Sequence, residues 1–240
     1  DRGLAPTRER AQRLIMAGDV LVDDHPVTKP GTPVKPEAVI RLRAASSAYV
    51  SRGGEKLAGA LDAFGLTVRG RIALDVGAST GGFTDCLLRR EVAQVVAVDV
   101  GYGQLAWSLR QDPRVLVVDR INARHLIAAH VPVVPDLVTM DVSFISATLV
   151  LPAIAPIAAA VADVIVLVKP QFEVGREHVG KGGIVRDDAL RASAVDRVRA
   201  TAASLGFSVR GQADSVLPGP GGNREIFLWV GRGVGAMPVT

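Results

Sequence analysis

The sequence predicts an α/β protein with an open, largely parallel β-sheet, preceded by a small α/β unit. Two patterns predict this fold class. From residue 50 onward, short apolar segments alternate with segments of helical periodicity, which is typical of a parallel sheet covered by helices on both faces. The first 43 residues instead combine one short amphipathic helix with short strands and turns. A domain boundary is therefore expected shortly after residue 43.

The composition is that of a globular protein. The chain has 240 residues, enough for one large domain and a small appendage. Lys and Arg outnumber Asp and Glu by 28 to 24, so charge permits a nucleic-acid partner without requiring one. The single cysteine, Cys86, excludes an internal disulfide bond and fits a reducing compartment.

The longest apolar run covers residues 147–162. It is shorter than a membrane span and contains Thr148, Pro152 and Pro156, so it predicts a buried helix with a breaker. Together with the composition, this run predicts a cytoplasmic protein that does not span a membrane.

The first 43 residues contain one helix and two strands. Thr7 is the expected N-cap of a helix that runs to residue 17, and Gly18 is its stop. Strands are predicted at 20–22 and 39–42, with turns at 23–26 and 30–31. We therefore expect one domain over 1–43, a linker over 44–49 and a second domain over 50–240.

The second domain alternates strands and helices before it ends in two consecutive strands. The last helix is long and amphipathic, and Gly206 ends it. Two terminal strands without a helix between them predict an antiparallel hairpin at the sheet edge. Strands are predicted at 72–76, 95–100, 115–118, 137–140, 164–168, 208–213 and 226–230, and helices at 82–90, 103–109, 144–160 and 188–205.

A glycine-rich turn, LDVGASTGGF at residues 74–83, connects the first of these strands to a helix. Glycines let the backbone turn tightly and approach a ligand closely. Asp99 ends the next strand, 24 residues after Asp75, as expected of an acid that accepts hydrogen bonds from ribose hydroxyls. The turn lacks the lysine of a phosphate-binding loop, which favours a ligand without a polyphosphate. A turn used only for packing is the alternative.

Six sequence blocks carry a specific family resemblance. They are SRGGEKL at 51–57, DVGASTGGF at 75–83, DVGYGQL at 99–105, DVSFIS at 141–146, VKPQFE at 168–173 and GNRE at 222–225. The chain resembles the TlyA (hemolysin A) family of ribosomal RNA 2′-O-methyltransferases over nearly its full length.

The resemblance implies a seven-stranded Rossmann-like methyltransferase sheet like that of the FtsJ enzymes. It also implies a small N-terminal RNA-binding domain of the alpha-L type, whose first helix is expected to be incomplete here. The implied cofactor is S-adenosyl-L-methionine. The implied acceptor is a ribose 2′-hydroxyl, with cytidine the expected nucleotide, and the implied partners are ribosomal RNA or ribosomal subunits.

By similarity, the Lys-Asp-Lys-Glu catalytic tetrad of the FtsJ enzymes falls on Lys56, Asp141, Lys169 and Glu225. Asp141 and Lys169 follow neighbouring predicted strands, at the edge where α/β sheets bind ligands. Lys169 can accept the hydroxyl proton if it is neutral, or stabilise the developing alkoxide if it is charged. Asp141 and Glu225 would orient the lysines, and Lys56 would position the hydroxyl. A surface lysine at a strand end is the alternative for Lys169.

The cofactor site is expected to take residues from the glycine turn and from the ends of the next two strands. Asp75 is expected to accept from the amino group of the methionine part, Asp99 and Val100 to flank ribose and adenine, and Asn122 to contact the adenine. Asn122 is also readily explained as a turn former. The predicted cofactor residues are Asp75, Gly77, Ser79, Gly81, Gly82, Phe83, Asp99, Val100 and Asn122.

Basic residues in the first domain are candidates for phosphate contacts. A solvated helix face explains the arginines almost as well. The histidines and Cys86 lack metal-ligand spacing, so no metal site is expected. The predicted RNA-binding residues are Arg8, Arg10, Arg13, Lys29, Lys35, Arg41 and Arg43.

Three other functions compete with ribose methylation. A base amino-methyltransferase would carry an Asp/Asn-Pro-Pro-aromatic loop where this chain has DVSF, and a cytosine carbon-five enzyme would need a nucleophilic cysteine outside the helix that holds Cys86. A membrane-lytic protein would need a spanning or a long basic amphipathic helix. A ribosome-associated RNA-binding factor without catalysis remains as the third, although all four tetrad positions are filled.

Overall fold

The computed structural model describes residues 2–5, 7–16, 18–42 and 48–233, apart from the side chains of three residues in the first helix. The chain divides into two compact units between Ala48 and Tyr49. We call them the small unit and the large unit. Residues 43–47, most of the predicted linker, lie outside the described residues.

The small unit is one helix beside a three-stranded antiparallel sheet of order β2-β1-β3. The helix ends as predicted, with Gly18 at φ +75° and its N–H donating to the carbonyl of Ile15 at 2.9 Å. The elements are α1 Arg8–Met16, β1 Val20–Val22, β2 His25–Val27 and β3 Ile40–Leu42.

The strand β2 was not predicted, because His25 and Pro26 read as part of a turn. The turn is shorter and uses Asp23 and Asp24, which both have positive φ. Pro26 pairs with Leu21 on an edge strand, where a missing backbone N–H costs little.

The large unit is a seven-stranded sheet of order β6-β5-β4-β7-β8-β10-β9. The first five strands are parallel, and β10 runs antiparallel between β8 and β9. The predicted sheet and its antiparallel terminal hairpin are therefore confirmed. The strands are β4 Ile72–Val76, β5 Gln94–Val98, β6 Val115–Val118, β7 Leu137–Met140, β8 Ala162–Val168, β9 Ser208–Asp214 and β10 Ile226–Arg232.

Helices cover both faces of this sheet, which explains why central strands such as β8 are buried at every residue. One core lies under α5 and α7, and includes Val150 and Val198. The other lies under α2 and α3, and includes Leu61 and Leu87. The helices of the large unit are α2 Arg52–Phe64, α3 Gly82–Arg89, α4 Trp107–Arg110, α5 Ala147–Ile154, α6 Pro170–Glu173 and α7 Asp188–Ser204.

Two predicted helices were too long at their starts, and the second was also too long at its end, since α5 stops at Ile154. Residues 103–109 and 144–160 were predicted as helical, but α4 begins at Trp107 and α5 at Ala147. Gly103 has φ +66° and Phe144 has φ +64°, which a right-handed helix does not accommodate. The second helix starts where the Ser146 hydroxyl accepts a hydrogen bond from the N–H of Thr148.

The helix α2 was missed, because its first turn contains Gly53 and Gly54 and glycine opposes helix formation. Gly54 is required for packing, because a Cβ there would lie 2.3 Å from a ring carbon of Tyr49. A Cβ on Gly82, at the start of α3, would lie 2.8 Å from the N atom of Gly54. Close approach of these two helices fixes the turn of α2 that carries Lys56.

A buried ionic cluster lies at the amino end of β8, remote from the carboxyl edge of the sheet. Asp163 is 1% exposed. It accepts hydrogen bonds from Arg71 at 2.6 Å, Arg210 at 2.6 Å and the indole N–H of Trp229 at 2.7 Å. The carboxylate thereby ties together β8, β9, β10 and the residue that precedes β4.

The long apolar run does not form one helix. Residues 147–154 form α5, residues 155–161 are neither helix nor strand, and Ala162 begins β8. Within the part of the chain that the structure describes, no helix has the length and apolarity needed to cross a membrane.

Candidate active site

The glycine turn lies at the carboxyl edge of the sheet, against the end of β7. The N–H groups of Gly77 and Ala78 donate to the carbonyl of Val98, at 2.9 and 3.0 Å. Gly77 has φ +85°, and a Cβ there would lie 2.5 Å from the carbonyl oxygen of Asp141. Only glycine fits this position, because the backbone that follows β7 occupies the space of a side chain.

Asp99 holds two loops together where β5 ends. Its carboxylate accepts the N–H of Ser79 at 2.8 Å and the N–H of Gly101 at 2.7 Å. The side chain is partly exposed, and each oxygen has a further lone pair for a ligand. Asp99 therefore shapes the glycine turn and can also accept from hydroxyl groups.

A cavity of about 1070 Å³ opens over this turn, large enough for a nucleoside-sized ligand. Five of the predicted cofactor residues line it, together with Asp141. They are Gly77, Ser79, Asp99, Val100 and Asn122. We call it the cofactor cavity.

The other four predicted cofactor residues do not line this cavity. Gly81 packs so that a Cβ would lie 2.3 Å from a methyl group of Leu109. Gly82 contacts α2, as described above, and Phe83 stacks on Phe227 with ring centres 6.1 Å apart. These residues shape the turn from behind, because the helix that follows it points them into the core.

Asp75 is the fourth of these residues, and it is fully buried. Its carboxylate accepts the hydroxyls of Thr84 at 2.7 Å and Thr139 at 3.1 Å. Burial raises the pKa of Asp75 to about 7, against the lowering effect of these two hydrogen bonds. The expected contact between Asp75 and the methionine amino group is thus not supported by this geometry.

Asp75 should make stability depend on pH. Its folded pKa of about 7 exceeds its ordinary value of 3.8. The stability it contributes is therefore full below about pH 4 and is lost as the pH rises through about 7. Asp75→Asn should gain stability relative to the native protein as the pH rises from about 4 to about 7, measured as the difference between the two melting temperatures. A difference that stays constant over this range would contradict the prediction.

Asn122 both forms a turn and lies in the candidate cofactor site. Its side-chain oxygen accepts the N–H of Arg124 at 3.0 Å, which begins a short 3₁₀ turn. The residue also lies on the wall of the cofactor cavity, so the turn presents it to a ligand.

Asp99→Ala should weaken binding of S-adenosylmethionine, because the variant loses both the acceptor and the two hydrogen bonds that shape the turn. We expect an affinity loss of about 10- to 100-fold, from hydrogen bonds to a charged group of about 1.5–3 kcal/mol. Calorimetric titration measures it, with Asp119→Ala as a control on the neighbouring loop. Equal affinity in the Asp99 variant and the native protein would remove Asp99 from the site.

Two lysine–carboxylate pairs lie beside the cofactor cavity, one fully buried and one with a partly exposed carboxylate. Lys169, which follows β8, places its Nζ 2.6 Å from Oδ1 of Asp141. Lys56, on α2, places its Nζ 2.5 Å from Oε2 of Glu225. Both lysines are only 8% exposed. All four predicted tetrad residues are therefore engaged in ion pairs.

The strand register brings these pairs to one place. Ile226 of β10 pairs with Val168 of β8, so one step further along the ladder Glu225 lies opposite Lys169. Met140 pairs with Val76, which puts Asp141 beside Gly77. Gly219 makes room for the glutamate, since a Cβ there would lie 2.1 Å from Oε1 of Glu225.

The loop after β7 contributes residues that the sequence reasoning did not single out. The Nζ of Lys169 donates to Oγ of Ser143 at 2.8 Å. Phe144 is 92% exposed and packs on Phe172 with ring centres 5.2 Å apart. Glu173 is buried and fixes the end of the loop, since it accepts the Ser146 hydroxyl at 2.5 Å. Burial raises the pKa of this glutamate.

Cys86 is buried inside α3. Burial raises the pKa of its thiol to about 11, which leaves almost no thiolate near neutral pH. This position gives no nucleophile for base methylation. Among the described residues, no group of three or more His, Cys, Asp or Glu side chains could hold a metal ion.

The predicted RNA-binding residues of the small unit differ in their contacts. Arg8, Lys29 and Lys35 are exposed. Arg41 is also exposed, but it pairs with Asp24 at 2.6 Å. The side chains of Arg10 and Arg13, and the whole of Arg43, lie outside the described residues.

The fold and the site define a class of protein. The antiparallel strand inserted beside the sheet edge, the glycine turn and the acid after the next strand are those of a Rossmann-like methyltransferase. The chain belongs to the FtsJ-like methyltransferases, whose family model matches residues 49–232, and within them to the TlyA family. Residues 1–40 match the S4 domain.

Relatives and a solved structure support this membership. The chain is 53% identical to the 16S/23S rRNA (cytidine-2′-O)-methyltransferase TlyA of Mycobacterium tuberculosis, over 95% of this chain and 86% of that protein. It is 39% identical to Hemolysin A of Brachyspira hyodysenteriae, over 93% of each. A solved structure of a hemolysin candidate from Streptococcus thermophilus matches with a TM-score of 0.77 and 41% identity, covering 98% of this chain and 86% of that one.

Proposed function

We propose that this protein transfers the methyl group of S-adenosyl-L-methionine to the 2′-hydroxyl of a cytidine ribose in ribosomal RNA. The observation that carries the proposal is the pair of lysine–carboxylate contacts beside the cofactor cavity. The relatives named above, which include a ribosomal RNA cytidine-2′-O-methyltransferase, supply the acceptor. Such an enzyme acts where ribosomes are assembled, in the cytoplasm.

The cavity fits the proposed cofactor. Gly77 lines the cavity with backbone, and Asp99 offers acceptor lone pairs at a strand end. In our proposal Asp99 binds the ribose hydroxyls, Val100 covers the adenine and Asn122 contacts its amino group. The cofactor would supply a methyl group already activated by a sulfonium.

The protein's own residues would move the acceptor proton. A ribose hydroxyl becomes a competent nucleophile only as its proton leaves, and Lys169 is placed to accept that proton at Nζ. Asp141 and Ser143 contact this nitrogen on two sides. Its remaining side would face the substrate. Lys56, held by Glu225, would orient the hydroxyl for in-line attack. In the charged state the same lysines would stabilise the developing alkoxide.

Phe144 would present the target nucleotide. An exposed aromatic ring at the rim of the cofactor cavity is a stacking surface for an unpaired base. Its left-handed backbone and its packing on Phe172 hold the ring outward. Methylation of an internal ribose requires such access to an unstacked nucleotide.

The small unit would bind RNA and deliver it to the large unit. Its match to the S4 domain and its exposed Arg8, Lys29 and Lys35 support this role. Deleting residues 1–47 should lower RNA affinity and flatten its dependence on salt, while cofactor affinity stays the same. Titration of RNA at two salt concentrations, with a separate cofactor titration, measures both. RNA binding and salt dependence equal to those of the full chain would make the small unit a structural cap.

A ribosome-associated factor without catalysis is the alternative function. The paired state of all four tetrad residues favours an enzyme over a factor that only binds RNA. Incubating the protein with ribosomal RNA or subunits and methyl-labelled S-adenosylmethionine separates the two functions. We expect label in RNA from the native protein. RNA that binds but remains unlabelled under all substrate conditions would support the non-catalytic factor.

A further inference from the structure

A second polar cavity lies in the large unit, outside the catalytic pairs. Its volume is about 390 Å³. We call it the arginine cavity, because three of the residues that line it are arginines. Its lining consists of Ile184, Val185, Arg186, Asp188, Arg191, Gly222 and Arg224.

The walls of this cavity are fixed by a buried asparagine. Asn223 is 3% exposed. Its amide donates to the carbonyl of Gly183 at 2.7 Å and accepts the N–H of Val185 at 3.0 Å. These bonds lock the loop before α7 to the glycine turn before β10. A cavity with such walls is pre-formed for a ligand.

Two of the three arginines have no partner among the described residues. Arg191 is used internally, since it donates to the carbonyls of Val185 at 3.1 Å and Arg186 at 2.9 Å and pairs with Asp188. The guanidinium groups of Arg186 and Arg224 make no hydrogen bond or ion pair within the part of the chain that the structure describes. With Asp188 occupied by Arg191, the cavity carries an uncompensated positive charge.

The order of the sites along the sheet edge places the arginine cavity relative to the catalytic pairs. The cofactor cavity takes residues that follow each of the five parallel strands, β4 to β8, Lys169 comes directly after β8, and Glu225 precedes β10. Arg224 is next to Glu225 in the chain, so the arginine cavity lies on the β10 side of the catalytic pairs. An RNA strand that reaches the catalytic pairs from the β10 side would pass the arginine cavity.

The geometry points to a binding subsite in the arginine cavity for one backbone phosphate of the RNA, next to the nucleotide that is methylated. This inference rests on the proposed function and adds the path of the acceptor strand. Arginine suits the task because its planar fork donates two parallel hydrogen bonds to a phosphate. Arg186 and Arg224 approach that phosphate from two loops, and Asn223 holds those loops at a fixed separation.

The test is the double variant Arg186→Gln/Arg224→Gln of the full chain, titrated with ribosomal RNA at several salt concentrations. We expect affinity to fall about three- to tenfold and the slope of log affinity against log salt to flatten by about 1, because one phosphate is no longer neutralised. The affinity for S-adenosylmethionine should stay at the native value. The charge-retaining variant Arg186→Lys/Arg224→Lys should keep the native salt slope.

Arg199→Gln is the matched control, because Arg199 lies on α7, pairs with Asp196 at 3.0 Å and does not line the cavity. Native affinity and salt slope in the double glutamine variant would overturn the subsite. If the same variant bound inorganic phosphate more weakly but RNA with native affinity, the subsite would also be overturned, because the cavity would then bind free anions only. If the native protein did not methylate RNA, the proposed function would fail. The RNA titration does not depend on methyl transfer, so it would still decide whether the arginine cavity binds RNA.

Discussion

Lys169→Met is expected to abolish methyl transfer while cofactor binding persists. The methionine retains much of the length and volume of the lysine but cannot accept a proton or stabilise an alkoxide. Loss of a positioned acid–base group should lower the turnover number by about 10³-fold. Single-turnover assays with saturating RNA measure the rate, and calorimetry measures the cofactor affinity. Lys169 lies outside the residues that line the cofactor cavity, which is why we expect that affinity to stay near the native value.

The matched control is Lys181→Met, which changes an exposed lysine outside the catalytic pairs and should turn over at the native rate. Near-native turnover in the Lys169 variant would defeat its assigned role. A parallel loss of cofactor affinity would instead show that Lys169 supports the cavity itself, since Asp141, its ion-pair partner, lines that cavity.

Asp163→Ala is expected to cause a large loss of stability. Asp163 is not one of the proposed catalytic residues. Removing this carboxylate leaves Arg71 and Arg210 without their shared partner in the buried cluster, and it frees the indole N–H of Trp229. Breaking a buried pair in this way costs about 3–5 kcal/mol. Urea denaturation monitored by tryptophan fluorescence measures the free energy of unfolding.

Asp196→Ala is the control for this prediction. Asp196 also pairs with an arginine, but its side chain is 65% exposed, so its loss should cost at most about 1 kcal/mol. Equal costs for the two substitutions would show that burial does not set the strength of the Asp163 cluster. The folded fraction of the Asp163 variant should still bind S-adenosylmethionine, because the cluster lies at the opposite end of the strands from the cofactor cavity.

Most of the sheet could be predicted from sequence because its strands are buried on both faces and read as continuous apolar runs. The segment that failed most clearly was α2, where Gly53 and Gly54 give no helical signal. The reason for Gly54 appears only in the packed structure, where the ring of Tyr49 occupies the space of a side chain. The shorter α5 has a similar cause, since the left-handed backbone of Phe144 is set by the loop around it.

The candidate site was predicted unevenly for related reasons. The residue types and their spacing along the chain indicated Asp99 and Gly77, and the family resemblance added the four tetrad residues. Pairing of Glu225 with Lys56 depends on the insertion of β10 between β8 and β9, and periodicity carries no strand order. Asp75 is held inside the fold by Thr84 of α3 and Thr139 of β7, and the sequence pattern does not show these contacts. The arginine cavity could not be predicted, because a buried asparagine joins its two loops.

The most direct test of the central claim is the chemical identity of the methylated nucleoside. Ribosomal RNA treated with the native protein and S-adenosylmethionine is digested to nucleosides and analysed by mass spectrometry, with Lys169→Met as the blank. The lysine–carboxylate pairs beside the cofactor cavity predict methylation of a ribose hydroxyl, and the relatives named above indicate cytidine. We therefore expect 2′-O-methylcytidine in the native sample and none in the sample treated with the variant. Cytidine methylated on its base, with an unmodified ribose, would contradict the account.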